Sequence, residues 1–424
     1  MSSGKTNSGV STADVVVIVS PYAAHPGHHW NNAERLAVAL QKHGQSIRVL
    51  IHDKTIRPPA EEIAALINVA PRWWQRLVGM ILSIVEYFHL PGSLCHPLET
   101  FGTLVGLSHM LRKDSSIRVV HVIDATFLVF FLWQFFTKRP CVYNLTGDAG
   151  PLKLTRFLSD PLRWLKRSLT QKLLALCLHN GCLEFCAETE AVRVDWAKIV
   201  GSHVHFVPYA ISPISRPISR EYARKSVDLS QEPTVVLLFG TQRPDKDFAT
   251  VIRASGRLSP PPLLLFVGKY IAGPMPLAIL SDLNFTSYCS VDRFVNESEA
   301  DLYFAACDAV LLPYVEGYEK GSGVLLEACR HLKPVIATDT GYLREFVQQH
   351  RTGMLFRAGD AEDLARCIQK IATLTDRERI TLHNEMVATV ERYSWSRIVE
   401  DYLALYMLLS NRCMHRNNKQ RFTA

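Results

Sequence analysis

The feature that most constrains this chain is an alternation, met twice, of short β-branched runs with stretches of helical apolar spacing. Residues 14–20 (DVVVIVS) have a strand pattern that breaks into a loop at 21–27, and an amphipathic helical pattern follows at 31–43. Further strands are predicted at 47–51, 118–123, 141–145, 182–187 and 204–207. The Ser/Pro-rich stretch 212–219 punctuates the chain, and a second series starts with strands at 234–239, 263–267, 309–312 and 334–337, separated by helical patterns such as 299–307 and 322–331. Three helical segments, 361–374, 376–392 and 396–410, close the pattern. Strands alternating with helices specify a parallel, doubly wound sheet. The expected fold class is therefore α/β, with two Rossmann-like domains.

Length and composition agree with two cores. The chain has 424 residues, more than one core usually holds, and 48% of them are hydrophobic. The boundaries read as a first domain over 13–211, a linker over 212–232 and a second domain over 233–395. A last helix over 396–411 is expected to cross back to the first domain. Residues 1–12 read as a disordered tail, Ser/Gly-rich and without the apolar core of a secretory signal, and 412–424 as a basic one. No apolar run reaches the ~20 residues of a membrane-spanning helix; the longest, 127–136, contains Gln134. Ten scattered cysteines without a Cys-x-x-Cys pair suggest reduced thiols in a cytoplasmic protein rather than a metal site or a disulfide framework. The net charge of +7, with Arg412, Arg416, Lys419 and Arg421 near the end, points to an anionic substrate or surface. No nucleic-acid partner is expected.

The sharpest chemical signal is Glu319-Lys-Gly-Ser-Gly-Val-Leu-Leu-Glu327, where two carboxylates flank a small, Gly-rich turn leading into an apolar helix. Ser322, Gly323 and Val324 fall at the helix N-terminus, where unpaired N–H groups and the positive dipole end favour a phosphate. Glu327, one turn in, can accept hydrogen bonds from ribose hydroxyls, and Glu319 on the loop can reach a sugar. The bland alternative is a solvated glutamate, a turn and a core helix.

This stretch resembles the E-x7-E signature of the family-four retaining glycosyltransferases, whose GT-B fold implies that the two Rossmann-like domains face each other across a cleft. Gly240-Thr-Gln-Arg243-Pro-Asp-Lys246 follows the first strand of the second series, as that family's Arg and Lys pair does. Other segments resemble the family in order: Phe266-Val-Gly268, Arg293-Phe294-Val295, Ala306-Cys-Asp308, Leu311-Leu-Pro313-Tyr314, Pro334 to Gly341, and Tyr393-Ser-Trp395. The resemblance implies a metal-independent, retaining hexosyltransferase without a cofactor, using a nucleotide-diphosphate sugar as donor. Arg243 and Lys246 would neutralise the leaving diphosphate, with Gly240 and the amides of Ser322, Gly323 and Val324 beside it. Glu327 would hold the ribose and Glu319 the transferred sugar.

The first half resembles the family more loosely. Its loop His25-Pro-Gly27-His28-His29 has one glycine where the family's is Gly-rich, so Gly27 is the one donor contact carried over there. These histidines have no acidic or cysteine partner nearby, and no metal site is expected. Asp124, in His121-Val-Ile-Asp124, and Asp148, in Thr146-Gly-Asp148, are the polar candidates at strand ends, where doubly wound folds bind ligands; His121 reads equally as a core histidine. Basic, aromatic segments at 72–88 and 152–178 carry Trp73, Trp74 and Trp164 among Arg, Lys and Leu. They resemble interfacial helices, which suggests a peripheral protein on the inner face of a membrane acting on a lipid-linked, polysaccharide or glycolipid acceptor; core helices with a basic solvent side are the alternative. The rival functions are a sugar-nucleotide epimerase or inverting transferase of the same fold, and a non-catalytic membrane-surface binding protein. A nicotinamide oxidoreductase is excluded because no G-x-G-x-x-G follows the first strand.

Overall fold

A computed structural model describes residues 14–23, 29–53, 59–87, 95–145, 161–270 and 285–422. The chain forms two compact units, the first of Met1–Tyr209 with Trp395–Ala424, the second of Ala210–Ser394. In the first unit seven strands run β1 (Val15–Ser20), β2 (Ser46–Ile51), β3 (Ile67–Val69), β4 (Ile117–Val122), β5 (Cys141–Leu145), β6 (Leu183–Ala187) and β7 (Val204–Phe206). They pair in the order β3-β2-β1-β4-β5-β6-β7, every pairing parallel. All six residues of β1 are buried, as parallel strands covered on both faces require. The 127–136 run forms helix Phe127–Thr137, whose Phe130 and Phe131 are fully buried in this core beside Phe185 and Trp196. It is a core helix, ended by Lys138 in the left-handed conformation.

The second unit holds β8 (Val235–Phe239), β9 (Leu263–Val267), β10 (Tyr288–Val291), β11 (Ala309–Leu312), β12 (Val335–Thr338) and β13 (Gly353–Phe356), ordered β10-β9-β8-β11-β12-β13 and again all parallel. Two of its helices begin with reciprocal capping boxes, Asn296 with Glu299 and Thr375 with Glu378. In both sheets the strand order reverses beside the first strand of the unit, between β1 and β4 and between β8 and β11. Those reversals open a crevice at the carboxyl ends of the strands.

Two stretches differ from the sequence reading. Residues 220–226, within the stretch read as a linker, form helix Arg220–Ser226, which packs on helix Glu297–Ala306 of the second unit. The cause is Arg224, fully buried and donating to the carbonyl oxygens of Ala306, Ser230, Gln231 and Pro233 and to Asp308 at 2.7 Å. The last helix runs Trp395–Phe422, longer than 396–411 and taking in most of the stretch read as a tail. Tyr402, Tyr406 and Leu409 bury one side of it, and it packs against helix His29–Lys42 and β4 of the first unit.

Replacing Arg224 with Met keeps an unbranched apolar stem and removes the guanidinium, leaving buried carbonyls without their donor. We expect the second unit to lose about 3 kcal/mol, read as an earlier urea transition in its fluorescence or hydrogen exchange. A change below about 1 kcal/mol would show that the network contributes no more than a surface ion pair.

Candidate donor site at the carboxyl ends of the second sheet

The residues singled out around 240 and 320 meet at the β8/β11 reversal. Gly240 follows β8 with φ of 82°, a conformation that favours glycine. A Cβ there would lie 3.3 Å from Val324 Cγ2, and a Cβ on Gly268, which follows β9, would lie 2.3 Å from the Gly240 oxygen. The chain then turns back, and Lys246 pairs with Tyr314 in an isolated antiparallel bridge. Asp247 N–H donates to the Pro313 oxygen and Val315 N–H to the Asp245 oxygen, so the loops after β8 and β11 are laced together by backbone.

Two cations stand on this lacing. Arg243 is half-exposed, lies 3.1 Å from Asp245 and makes a side-chain hydrogen bond with Tyr318. Lys246 is buried, and its Nζ donates to the Phe239 oxygen at 2.9 Å. Burial, then the charge of Arg243, lowers its pKa to about 7, so half of these amines are neutral at neutral pH. Any anion placed beside Nζ restores the charge.

Glu319 is exposed on the loop before helix Gly323–Arg330. The loop is anchored by Tyr318, buried, stacked on Tyr314 at 3.9 Å and donating its hydroxyl to the Gly321 oxygen. Gly341, with φ of 44°, backs it: a Cβ there would be 2.5 Å from the Tyr318 oxygen and 2.9 Å from the Glu319 Cα. Ser322 is the N-cap, yet its hydroxyl bonds the Tyr314 hydroxyl at 3.2 Å instead of capping the helix. The Gly323 and Val324 amides therefore point out of the helix start without an intrahelical acceptor. Glu327 is 3.0 Å from Arg330, which also pairs with Glu297 and Asp301.

In the first unit Asp124 sits at the β1/β4 reversal, buried, accepting from Ser20 Oγ at 3.1 Å and from Tyr22 N–H at 3.3 Å. Gly27 and Asp148 lie outside the described residues. His121 is a core residue, bonded to the Tyr406 hydroxyl and to Asn144, and burial lowers its pKa to about 4. Sequence reasoning passed over Glu188, directly after β6, which is buried and carries a pKa raised to about 7 by burial. Its place just beyond a strand's carboxyl end was the available signal. Among the described residues no group of His, Cys, Asp and Glu could hold a metal ion.

Residues 233–373 match the family model described as Glycosyl transferases group 1. A D-inositol 3-phosphate glycosyltransferase of Rhodococcus erythropolis is 30% identical over 203 residues, which cover 45% of this chain and 45% of that protein. The chain thus matches less than half the length of this curated relative. Sucrose-phosphate synthase of Thermosynechococcus elongatus superposes with a TM-score of 0.63 at 16% identity, covering 93% of this chain and 99% of that one. An Anabaena protein solved in complex with UDP-glucose gives 0.63 at 16% identity, covering 92% and 98%. These two likenesses concern the fold. By sequence the second unit is similar to the group 1 glycosyltransferases, and the two parallel sheets share the GT-B fold of these solved structures.

Proposed function

We propose that the protein is a retaining glycosyltransferase that moves a sugar from a nucleoside-diphosphate sugar to an acceptor hydroxyl without a metal ion. The observation that carries this reading is the meeting, at one strand reversal, of a buried lysine, an arginine and the open amides of a helix start, with Glu319 on the adjoining loop. Such a set suits a diphosphate with a sugar attached. In the reaction the bond from the anomeric carbon to the phosphate oxygen breaks. Charge develops on the diphosphate, and Arg243 and Lys246 stabilise it more in the transition state than in the bound donor. The acceptor oxygen bonds to the anomeric carbon on the same face, and its proton passes to the departing phosphate oxygen. Gly240 lets the diphosphate approach the backbone, the amides of Ser322, Gly323 and Val324 bind its distal oxygens, and Glu327, steadied by Arg330, takes the ribose. Glu319 orients the transferred sugar. In the first unit Asp124, Glu188 and Asp148 are the candidates for the acceptor, and Gly27 for a further donor contact. The Anabaena protein solved with UDP-glucose makes uridine-diphosphate sugars the first donors to try.

A lipid-linked acceptor fits the surface of the first unit. Trp73, Leu77 and Met80 lie on one side of helix Arg72–Tyr87 and are exposed. Leu165, Leu169 and Leu176 are exposed on helix Pro161–His179 beside exposed Lys166 and Lys172. Apolar and cationic groups side by side favour an anionic bilayer surface. No described helix is long and apolar enough to cross a membrane; the attachment proposed is peripheral, at a cytoplasmic face.

The reading is tested by donor panels of UDP, GDP and ADP sugars, scored by melting temperature and by transfer, with product stereochemistry assigned. One donor should stabilise the protein, the product should keep the donor's anomeric configuration, and Glu319→Ala and Lys246→Ala should each lower kcat/KM at least about 100-fold. Absence of any stabilising or transferred donor would favour a binding protein, and unchanged transfer in both variants would remove Glu319 and Lys246 from the reaction. An inverted product would make it an inverting transferase.

Lys246 supplies a sharper test. A diphosphate favours the charged amine, so donor binding at pH 8 should take up as much as about one proton and take up almost none at pH 6, where the amine is already charged. Affinity should fall as pH rises above 7. Calorimetry in buffers of different ionisation enthalpy reads the uptake directly, and Lys246→Arg should abolish it. For the surface, vesicles containing phosphatidylglycerol should bind the protein and neutral vesicles should bind it far less. The Trp73→Ala, Met80→Gln double variant should weaken binding by about tenfold, and binding indifferent to anionic lipid would remove the membrane reading.

A further inference from the structure

The first unit contains a sulfur contact that sugar transfer does not use. Cys182, just before β6, and Cys413, on helix Trp395–Phe422, are both buried, and their Sγ atoms are 2.7 Å apart although 231 positions separate them in sequence. The two sulfurs are thus in direct contact, and a disulfide would bring them to about 2.05 Å. Both backbones are held in place. The Cys182 oxygen accepts from Cys141 N–H at 2.8 Å and from Gln134 Nε2 at 3.2 Å. Next to Cys413, Arg412 pairs with the fully buried Glu184, two residues after Cys182, and that carboxylate also meets His203 at 3.2 Å and His205 at 2.7 Å. The ion pair and the sulfur pair thus fix one stretch of the last helix against the start of β6. The other buried thiols nearby are engaged differently: Cys141 donates to Gln134 Oε1 and Cys177 to the Phe131 oxygen.

We propose that Cys182 and Cys413 form a peroxide-oxidisable pair whose disulfide fastens the last helix to the first unit. The chemistry balances with one hydrogen peroxide. A thiolate sulfur attacks one peroxide oxygen, the O–O bond breaks, and hydroxide leaves to become water, giving a sulfenic acid. The second sulfur displaces that hydroxyl as a second water, and the S–S bond forms. Two thiols lose two electrons and the peroxide gains them; a dithiol reductant reverses the change. Because Cys182 precedes the second unit and Cys413 follows it, the bond closes a covalent loop that contains all of residues 210–394.

The test is made on the full chain and needs no sugar donor, so it stands apart from the proposed activity. Folded protein is treated with millimolar hydrogen peroxide, denatured, alkylated with N-ethylmaleimide and digested for peptide mass mapping. The expected result is loss of two alkylatable thiols out of ten, a single cross-linked peptide joining positions 182 and 413, and recovery of both thiols with dithiothreitol. Cys182→Ser and Cys413→Ser should each abolish the cross-link, whereas Cys177→Ser should leave it. All ten thiols still alkylated, or either cysteine joined to a different partner, would overturn the proposal. The wild-type map alone decides this, so a variant that fails to fold does not rescue it.

Discussion

The candidate site depends on backbone touching backbone. At Gly240 with Gly268, and at Gly341 with the Tyr318 carbonyl, the chain comes closer than any side chain would permit, and these approaches draw the loops after β8, β9 and β11 and the turn before β12's helix into one surface. Side chains would hold such loops apart by their own volume. Once the loops are laced by the Lys246–Tyr314 bridge and the Asp247 and Val315 amides, the amides at the head of helix Gly323–Arg330 need no further positioning. Ser322 contributes by spending its hydroxyl on Tyr314, which leaves the helix start open.

The electrostatics follow from this packing. A lysine buried in the same lacing is held near half-charge by desolvation and by its arginine neighbour. A fully hydrated lysine would already be compensated by water and would gain little from an anion. Arg243, half-exposed and paired with Asp245, can exchange one anionic partner for another at small cost. The pair therefore combines one group that rewards a phosphate strongly with one that reaches for it, while Glu327 keeps its orientation through Arg330.

Much of this was legible before any coordinates. The strands 141–145, 263–267 and 309–312 and helix 376–392 lie where β-branched runs and caps place them, because a fully buried parallel strand leaves an unmistakable apolar run. Three strands were not read. β3 (INV) is interrupted by an asparagine, β13 (GMLF) begins with glycine and has no β-branched residue, and β10 (YCSV) alternates polar with apolar at the sheet's edge, so none shows a β-branched run. Helix Arg220–Ser226 hides in the stretch read as a linker because its anchor is an arginine, whose burial needs acceptors that only the tertiary structure supplies. The E-x7-E spacing marked the loop and helix of the site, whereas the pairing of Glu327 with Arg330 and the depressed basicity of Lys246 depend on burial and are invisible in one dimension. Glu188 was missed for the same reason.

The split composition of the first unit has a consequence for synthesis. Residues 210–394 are contiguous and can complete their sheet as soon as they emerge. The first unit, begun earlier, lacks the helix that supplies the Tyr406 hydroxyl to His121 and the Arg412 charge to Glu184 until the final stretch leaves the ribosome. Translation thus delivers a finished later unit before the earlier one can close, and in the interval a buried imidazole and carboxylate of the nascent chain stand without their natural covers.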